Sequence, residues 1–212
     1  MPYDAVIFDL DGTLLDTEAL AMRAGEIAAQ RLDLPWTAAF FHSLIGGDSL
    51  GTEAKLAAQF GAQNMPGFHL AWRDAHDDLV SDGVPVKPTA LDLLDRLEAR
   101  GMPFAVATSS HHESAMHKLG ASGLAPRIAT LISRDCVTHA KPHPEPYLTA
   151  AARLGVAATR CLAFEDSTPG ARAARAAGMT VVVVPDMAEV ETGHAHHTAA
   201  TLIEGARAAG LH

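Results

Sequence analysis

One stretch near the N-terminus constrains this chain more than any other: Ala5-Val6-Ile7-Phe8-Asp9-Leu10-Asp11-Gly12-Thr13-Leu14-Leu15-Asp16-Thr17-Glu18. Ala5 to Phe8 is a short, unbroken apolar run, the pattern of a strand buried on both faces of a parallel sheet. It ends in two carboxylates one residue apart, followed by a glycine. Side chains alternate along a strand, so Asp9 and Asp11 leave the sheet on one side, and Gly12 permits a sharp exit. Ligands of open α/β sheets bind outside the carboxyl ends of the strands, where this pair falls. Two readings follow. In one, the acids are a solvated strand-ending turn. Alternatively, a hard cation such as Mg²⁺ offsets their repulsion, and one carboxylate attacks phosphorus while the other moves a proton.

From Asp16 to Pro85 no strand pattern occurs. Leu20, Ala24, Ile27, Ala28 and Leu32 share a helical face, apolar positions recur over residues 38–45 and at Leu50, Ala54, Ala57 and Phe60, and Phe68, Trp72, Ala75 and Leu79 mark a further helix. Such a segment is too long for a loop and reads as a helical cap. Strands and helices then alternate. Pro88 and Thr89 open a helix with Asp92 at capping-box spacing, and Ser110 with Glu113 repeats that signature after the strand Phe104 to Ala107. Further strands are predicted at Ala129 to Ile132, Cys161 to Phe164 and Thr180 to Val184, with a last helix over His194 to Leu211. The expected fold is α/β: a Rossmann-like parallel sheet of five or more strands with helices on both faces, and a small all-α cap domain inserted after the first strand. The expected division is a core of residues 1–16 and 86–212 and a cap of residues 17–85.

Composition narrows the partners. A formal net charge of −9 disfavours nucleic acid and anionic membrane surfaces, so an anionic substrate must be drawn by a metal or a placed lysine. No membrane span or secretory leader is expected, and the cytoplasm is the expected compartment. Cys136 and Cys161 lack metal or redox spacing and read as small apolar residues.

Each later strand ends in polar groups. Thr108 and Ser109 precede a helix N-terminus, a ready anion site. Lys141 stands in a loop stiffened by Pro142, Pro144 and Pro146, where it offers a compact charge to phosphate. Glu165 and Asp166 end a buried strand and offer further oxygen ligands for Mg²⁺. Each signal is weak alone; their order after separate strands is specific.

These motifs resemble those of the haloacid dehalogenase superfamily, and most of all the β-phosphoglucomutase-like phosphatases with a helical cap. The resemblance implies that Asp9 is the nucleophile and a Mg²⁺ ligand, and that Asp11 is the acid/base and offers its backbone carbonyl to the metal. It implies that Thr108 and the N–H of Ser109 grip the phosphoryl group, that Lys141 bridges Asp9 and that group, and that Asp166 ligates the metal, with Glu165 doing so directly or through water. Gly46, Gly47 and Ser49 form the expected specificity loop of the cap. The mutases carry a His where this chain has Ala21 and an Arg where it has Ser49, which favours a phosphatase acting on a small phosphorylated metabolite. The alternatives are a β-phosphoglucomutase-type phosphomutase, a dehalogenase, against which Asp11 and Asp166 argue, and a non-catalytic phosphate-binding protein. A monomer or weak homodimer is expected. His194, His196 and His197 read as solvated tail residues, His111 and His112 as first-turn residues, and Trp36 and Trp72 as packing.

Overall fold

The computed structural model describes residues 2–44, 49–187 and 190–211, apart from the side chains of Ser49 and Leu50. Its strands are β1 (Ala5–Phe8), β2 (Phe104–Ala107), β3 (Leu131–Ile132), β4 (Cys161–Glu165), β5 (Thr180–Val183) and β6 (His197–Thr198). They form one parallel sheet in the order β3-β2-β1-β4-β5-β6. The order reverses beside β1, so the crevice between the strand ends of β1 and β4 is where a ligand fits.

β1 is fully buried and feeds two cores by alternation. Val6 and Phe8 enter one with Leu93, Leu94 and Leu97 of α5 (Ala90–Ala99), Leu119 of α6 (His112–Ala121) and Leu202 of α9 (Leu202–Ala208). Ala5 and Ile7 enter the other with Tyr147 and Ala150 of α7 (Glu145–Leu154) and Ala171 and Ala174 of α8 (Thr168–Ala176). Small residues on the second face let α7 and α8 lie close to the sheet. Phe8 stacks on Phe164 of β4 with ring centroids 5.3 Å apart.

Between β1 and α5 the chain is helical: α1 (Thr17–Arg31), α2 (Ala38–His42), α3 (Ser49–Phe60) and α4 (Met65–Asp82). These helices have their own apolar cluster of Ala28, Ala29, Leu56, Phe60, Met65 and Phe68, with Trp36 and Trp72 packed against it. Trp72 Nε1–H also donates to the Ala21 carbonyl at 3.2 Å, tying α4 to α1. The outgoing and returning segments pair, Asp16 N–H to Pro85 O at 2.9 Å and Lys87 N–H to Leu14 O at 2.8 Å. Among the described residues no helix is long and apolar enough to cross a membrane.

Three local expectations need correction. The segment after His194 is not one helix. His196 N–H bonds to Val181 O and Ala199 N–H to Val183 O, so the open edge of β5 recruits β6 before Thr201 caps α9. His196 is accordingly no free tail residue, since its Nδ1 accepts the Val181 N–H at 2.9 Å. Thr89 makes no side-chain cap to α5; it has φ +66°, and its hydroxyl accepts the N–H of Ile203 at 3.4 Å. Ser110 does not cap α6 either. Asp135 does, accepting the His112 N–H at 2.6 Å.

Candidate active site

The carboxyl ends of β1, β2 and β4 and the loop before α7 surround a cleft of about 430 Å³ lined by Asp9, Asp11, Thr108, Ser109, Lys141 and Asp166 among others. The turn after β1 builds one wall. Gly12 has φ +80°, which lets its N–H donate to Leu15 O while Leu14 and Leu15 N–H both return to Leu10 O. An L side chain is strained at that φ. It would also have no room, because a Cβ on Gly12 would stand 2.2 Å from Asp166 Oδ2.

Asp9, Glu165 and Asp166 are all buried and bring carboxylate oxygens within 4.8 Å of one another. Lys141 is their cation: its Nζ donates to Asp9 Oδ1 and to Glu165 Oε1, both at 2.6 Å. Burial would lower Lys141, but the two carboxylates outweigh it and hold the ammonium up. Three buried acids against one ammonium leave surplus negative charge. Burial first, then the neighbouring carboxylates, push Asp9 up to about 7 against the pull of Lys141 and raise Asp166 well above the usual range.

Glu165 is saturated by the protein. Oε1 accepts from Lys141 and from Tyr147 O–H at 2.5 Å, while Oε2 accepts from Ser167 O–H at 2.9 Å and from the N–H of Asp166 and Ser167. Gly170 permits this, since a Cβ there would lie about 2.0 Å from the Glu165 carboxyl. The loop carrying Lys141 is pinned by Glu145, whose carboxylate accepts the N–H of Thr138 and of His139 and a bond with His139 Nδ1. Those contacts, the Thr138 N–H first, lower Glu145 to about 2.

Asp11 is held differently. Lys118 Nζ meets Oδ1 at 2.6 Å and Oδ2 at 2.7 Å, and Ser110 O–H donates to Oδ2 at 2.7 Å. Burial alone would raise Asp11, but Lys118, aided by Ser110, keeps the carboxyl below its ordinary value. Thr108, also buried, accepts the Ser110 N–H on its hydroxyl at 3.0 Å.

Residues 3–178 match the model of the haloacid dehalogenase-like hydrolases. The chain belongs to that family. Among its relatives, a phosphoglycolate phosphatase of Xylella fastidiosa is 35% identical over 188 residues, spanning 84% of this chain and 78% of that protein. Fructose-1-phosphate phosphatase YqaB of Escherichia coli is 32% identical over 184 residues, spanning 86% and 96%. The crystal structure of a HAD family hydrolase from Deinococcus radiodurans with bound phosphate and sodium superposes with a TM-score of 0.81 at 28% identity, covering 98% of this chain and 95% of that one.

In this haloacid dehalogenase-like hydrolase the donor set around Asp9 and Asp166 is all oxygen, which suits Mg²⁺ better than a softer metal. The surplus buried charge is what a divalent cation would relieve. Gly46 and Gly47 lie outside the described residues, and Ser49 is described only as the first backbone position of α3. Three residues beside the site escape the sequence reading. Lys118 looks like an ordinary helical lysine, and Tyr147 like a core aromatic. Helical spacing alone does not reveal that either reaches a carboxylate. His76 of α4 is a third: burial first, then Lys118, lowers it, and Asp77 and Asp11 oppose the shift.

Proposed function

We propose that the chain is a Mg²⁺-dependent phosphatase that hydrolyses small soluble phosphate monoesters, sugar phosphates among them, through a phosphoryl group carried on Asp9. The observation that carries this reading is the buried Asp9 carboxylate held by Lys141 Nζ at 2.6 Å, in a cleft that it shares with Thr108, Ser109 and Asp166. Lys141 occupies Oδ1 of Asp9, which leaves the second oxygen to attack. In the first step that oxygen bonds to phosphorus, the ester P–O bond breaks, and Asp11 gives the leaving oxygen a proton. In the second, water attacks phosphorus, Asp11 takes its proton, and the bond to Asp9 breaks. Thr108 and the Ser109 N–H grip the equatorial oxygens, where negative charge is spread during transfer.

Mg²⁺ would be held by the carboxylates of Asp9 and Asp166 and the backbone carbonyl of Asp11, and would supply charge neutralisation between Asp9 and the anionic substrate. Glu165 acts behind them, orienting Lys141. On this reading residues 17–85 are a cap that closes over a core of residues 1–16 and 86–212 and excludes water. The Gly46-Gly47-Asp48-Ser49 loop selects the substrate. The phosphoglycolate and fructose-1-phosphate phosphatases are named for small phosphorylated metabolites, which supports this substrate class.

A panel of phosphorylated metabolites, with p-nitrophenyl phosphate as the activated ester, tests the reading. With Mg²⁺ the protein should release inorganic phosphate, and folded Asp9→Asn should not. With β-glucose 1-phosphate and a trace of glucose 1,6-bisphosphate, stoichiometric glucose 6-phosphate without phosphate release would establish the mutase instead. No turnover of any ester would leave phosphate binding alone.

A further inference from the structure

Lys118 lies in the second half of α6, beyond the motif residues that precede that helix, yet it is among the most buried charged groups of the described residues at 7% exposure. An ammonium is costly to take out of water unless it is paired and hydrogen-bonded. Here it has three acceptors: both oxygens of Asp11 and, at 2.9 Å, the Ser110 hydroxyl oxygen. Ser110 in turn donates to Asp11 Oδ2. The three side chains close a ring of hydrogen bonds at one wall of the cleft.

Exposed ion pairs between flexible chains contribute little. This one differs because one ammonium spans both oxygens of one carboxylate and is fixed by burial, which removes the rotation that Asp11 would otherwise have. Held on both oxygens, the carboxylate keeps one orientation in the cleft that it helps to line. Ser110 accounts for its own place in the same way: it forgoes the cap of α6, which Asp135 provides, and turns to Asp11.

We propose that Lys118 is a positioning residue that, with Ser110, fixes the orientation of the Asp11 carboxylate as the base for the second chemical step. The proposal rests on the phosphatase reading. In that step the water oxygen bonds to phosphorus and Asp11 takes the water proton. The bond from phosphorus to Asp9 breaks, and its electron pair returns to the Asp9 carboxylate. The first step with p-nitrophenyl phosphate needs no such help, because p-nitrophenolate leaves without a proton.

Pre-steady-state kinetics with p-nitrophenyl phosphate and Mg²⁺ separate the two steps. Lys118→Met should give a burst of about one p-nitrophenol per enzyme. Steady turnover should then be at least ~10-fold slower, part of the roughly 10²–10⁴-fold that positioned proton transfer supplies. KM should fall with kcat, leaving kcat/KM unchanged, a split that a merely structural defect would not produce. Lys118→Arg should recover part of kcat. In an Asp11→Asn background Lys118→Met should add less than about 2-fold, because residues acting through one group are not additive. Losses that multiply, a raised KM, or a reduced kcat/KM would overturn the proposal. If Lys118→Met does not fold, Ser110→Ala carries the test: the same burst supports the proposal, and unchanged kcat refutes it. Asp11→Asn read alone keeps the two claims apart. Full turnover there would defeat the phosphatase mechanism itself, whereas a dead Asp11→Asn beside a normal Lys118→Met would defeat only the role of Lys118.

Discussion

Gly12→Ala perturbs the proposed metal site without replacing any of its candidate ligands. Gly12 has φ +80°, and an L residue in the left-handed region costs about 1–2 kcal/mol. The new methyl would also start 2.2 Å from Asp166 Oδ2, and the carboxylate would have to retreat until that distance approaches the 3.4 Å of ordinary contact. Such a retreat also strains the weak bond from Thr13 O–H to Asp166 Oδ1, already 3.4 Å long. Displacing the groups that orient a ligand typically costs about 10–100-fold in metal affinity or activity, and a displaced ligand should cost no less. The assay is a Mg²⁺ titration of p-nitrophenyl phosphate turnover beside thermal melting in chelator. The half-saturating Mg²⁺ concentration should rise by about 10–100-fold. The melting temperature should fall by only about 2–8 °C, the consequence of about 1–2 kcal/mol in a chain of this size. A folded Gly12→Ala variant with wild-type half-saturation would refute the assignment of Asp166 as a ligand.

Two further outcomes follow from the buried acids. Asp9 is raised from 3.8 to about 7, so the metal-free folded chain keeps a proton that the unfolded chain releases; its stability contribution is full below about 4 and is lost as pH rises through about 7. Mg²⁺ competes with that proton. The melting shift on adding Mg²⁺ should therefore be larger near pH 8 than near pH 5.5, and equal shifts would contradict the charge balance described. Tyr147→Phe removes the 2.5 Å donor to Glu165 Oε1, a fully buried carboxylate. It should destabilise the protein by about 1–3 kcal/mol in denaturant titration, and an unchanged midpoint would show that the bond is dispensable.

Much of the architecture is legible in the sequence because one physical signal dominates it. Strands buried on both faces must be continuous apolar runs, and those at Ala5 and Cys161 stand out for that reason. The acids that end them lie at the switch point once the strand order is known. β6 is different: two residues of edge strand, His197 and Thr198, carry no periodicity, and they form only because β5 offers unpaired backbone groups. Capping signatures misled at Thr89 and Ser110, because a hydroxyl at the right spacing has other partners within reach in the folded chain, the Ile203 N–H for Thr89. At Ser110 the competitor is Asp11, a carboxylate 99 residues away in sequence. Lys118 and Tyr147 were illegible for the same reason, since their importance lies wholly in long-range contacts. Histidine content was a poor guide. His139 and His143 lie with Glu145 close enough to share an ion, but Glu145 is already used in pinning the Lys141 loop.

The claim at the centre of this account is that a phosphoryl group passes through Asp9. Asp11→Asn protein, mixed with Mg²⁺ and p-nitrophenyl phosphate and quenched in acid, tests it most directly, because the aspartyl phosphate forms and its hydrolysis is stalled. Intact mass spectrometry should show one phosphoryl group per chain. Borohydride reduction followed by peptide mapping should place it on Asp9, and Asp9→Asn/Asp11→Asn protein should carry none. Release of p-nitrophenol with no phosphoryl group on the chain, or with the group on any residue other than Asp9, would contradict the account.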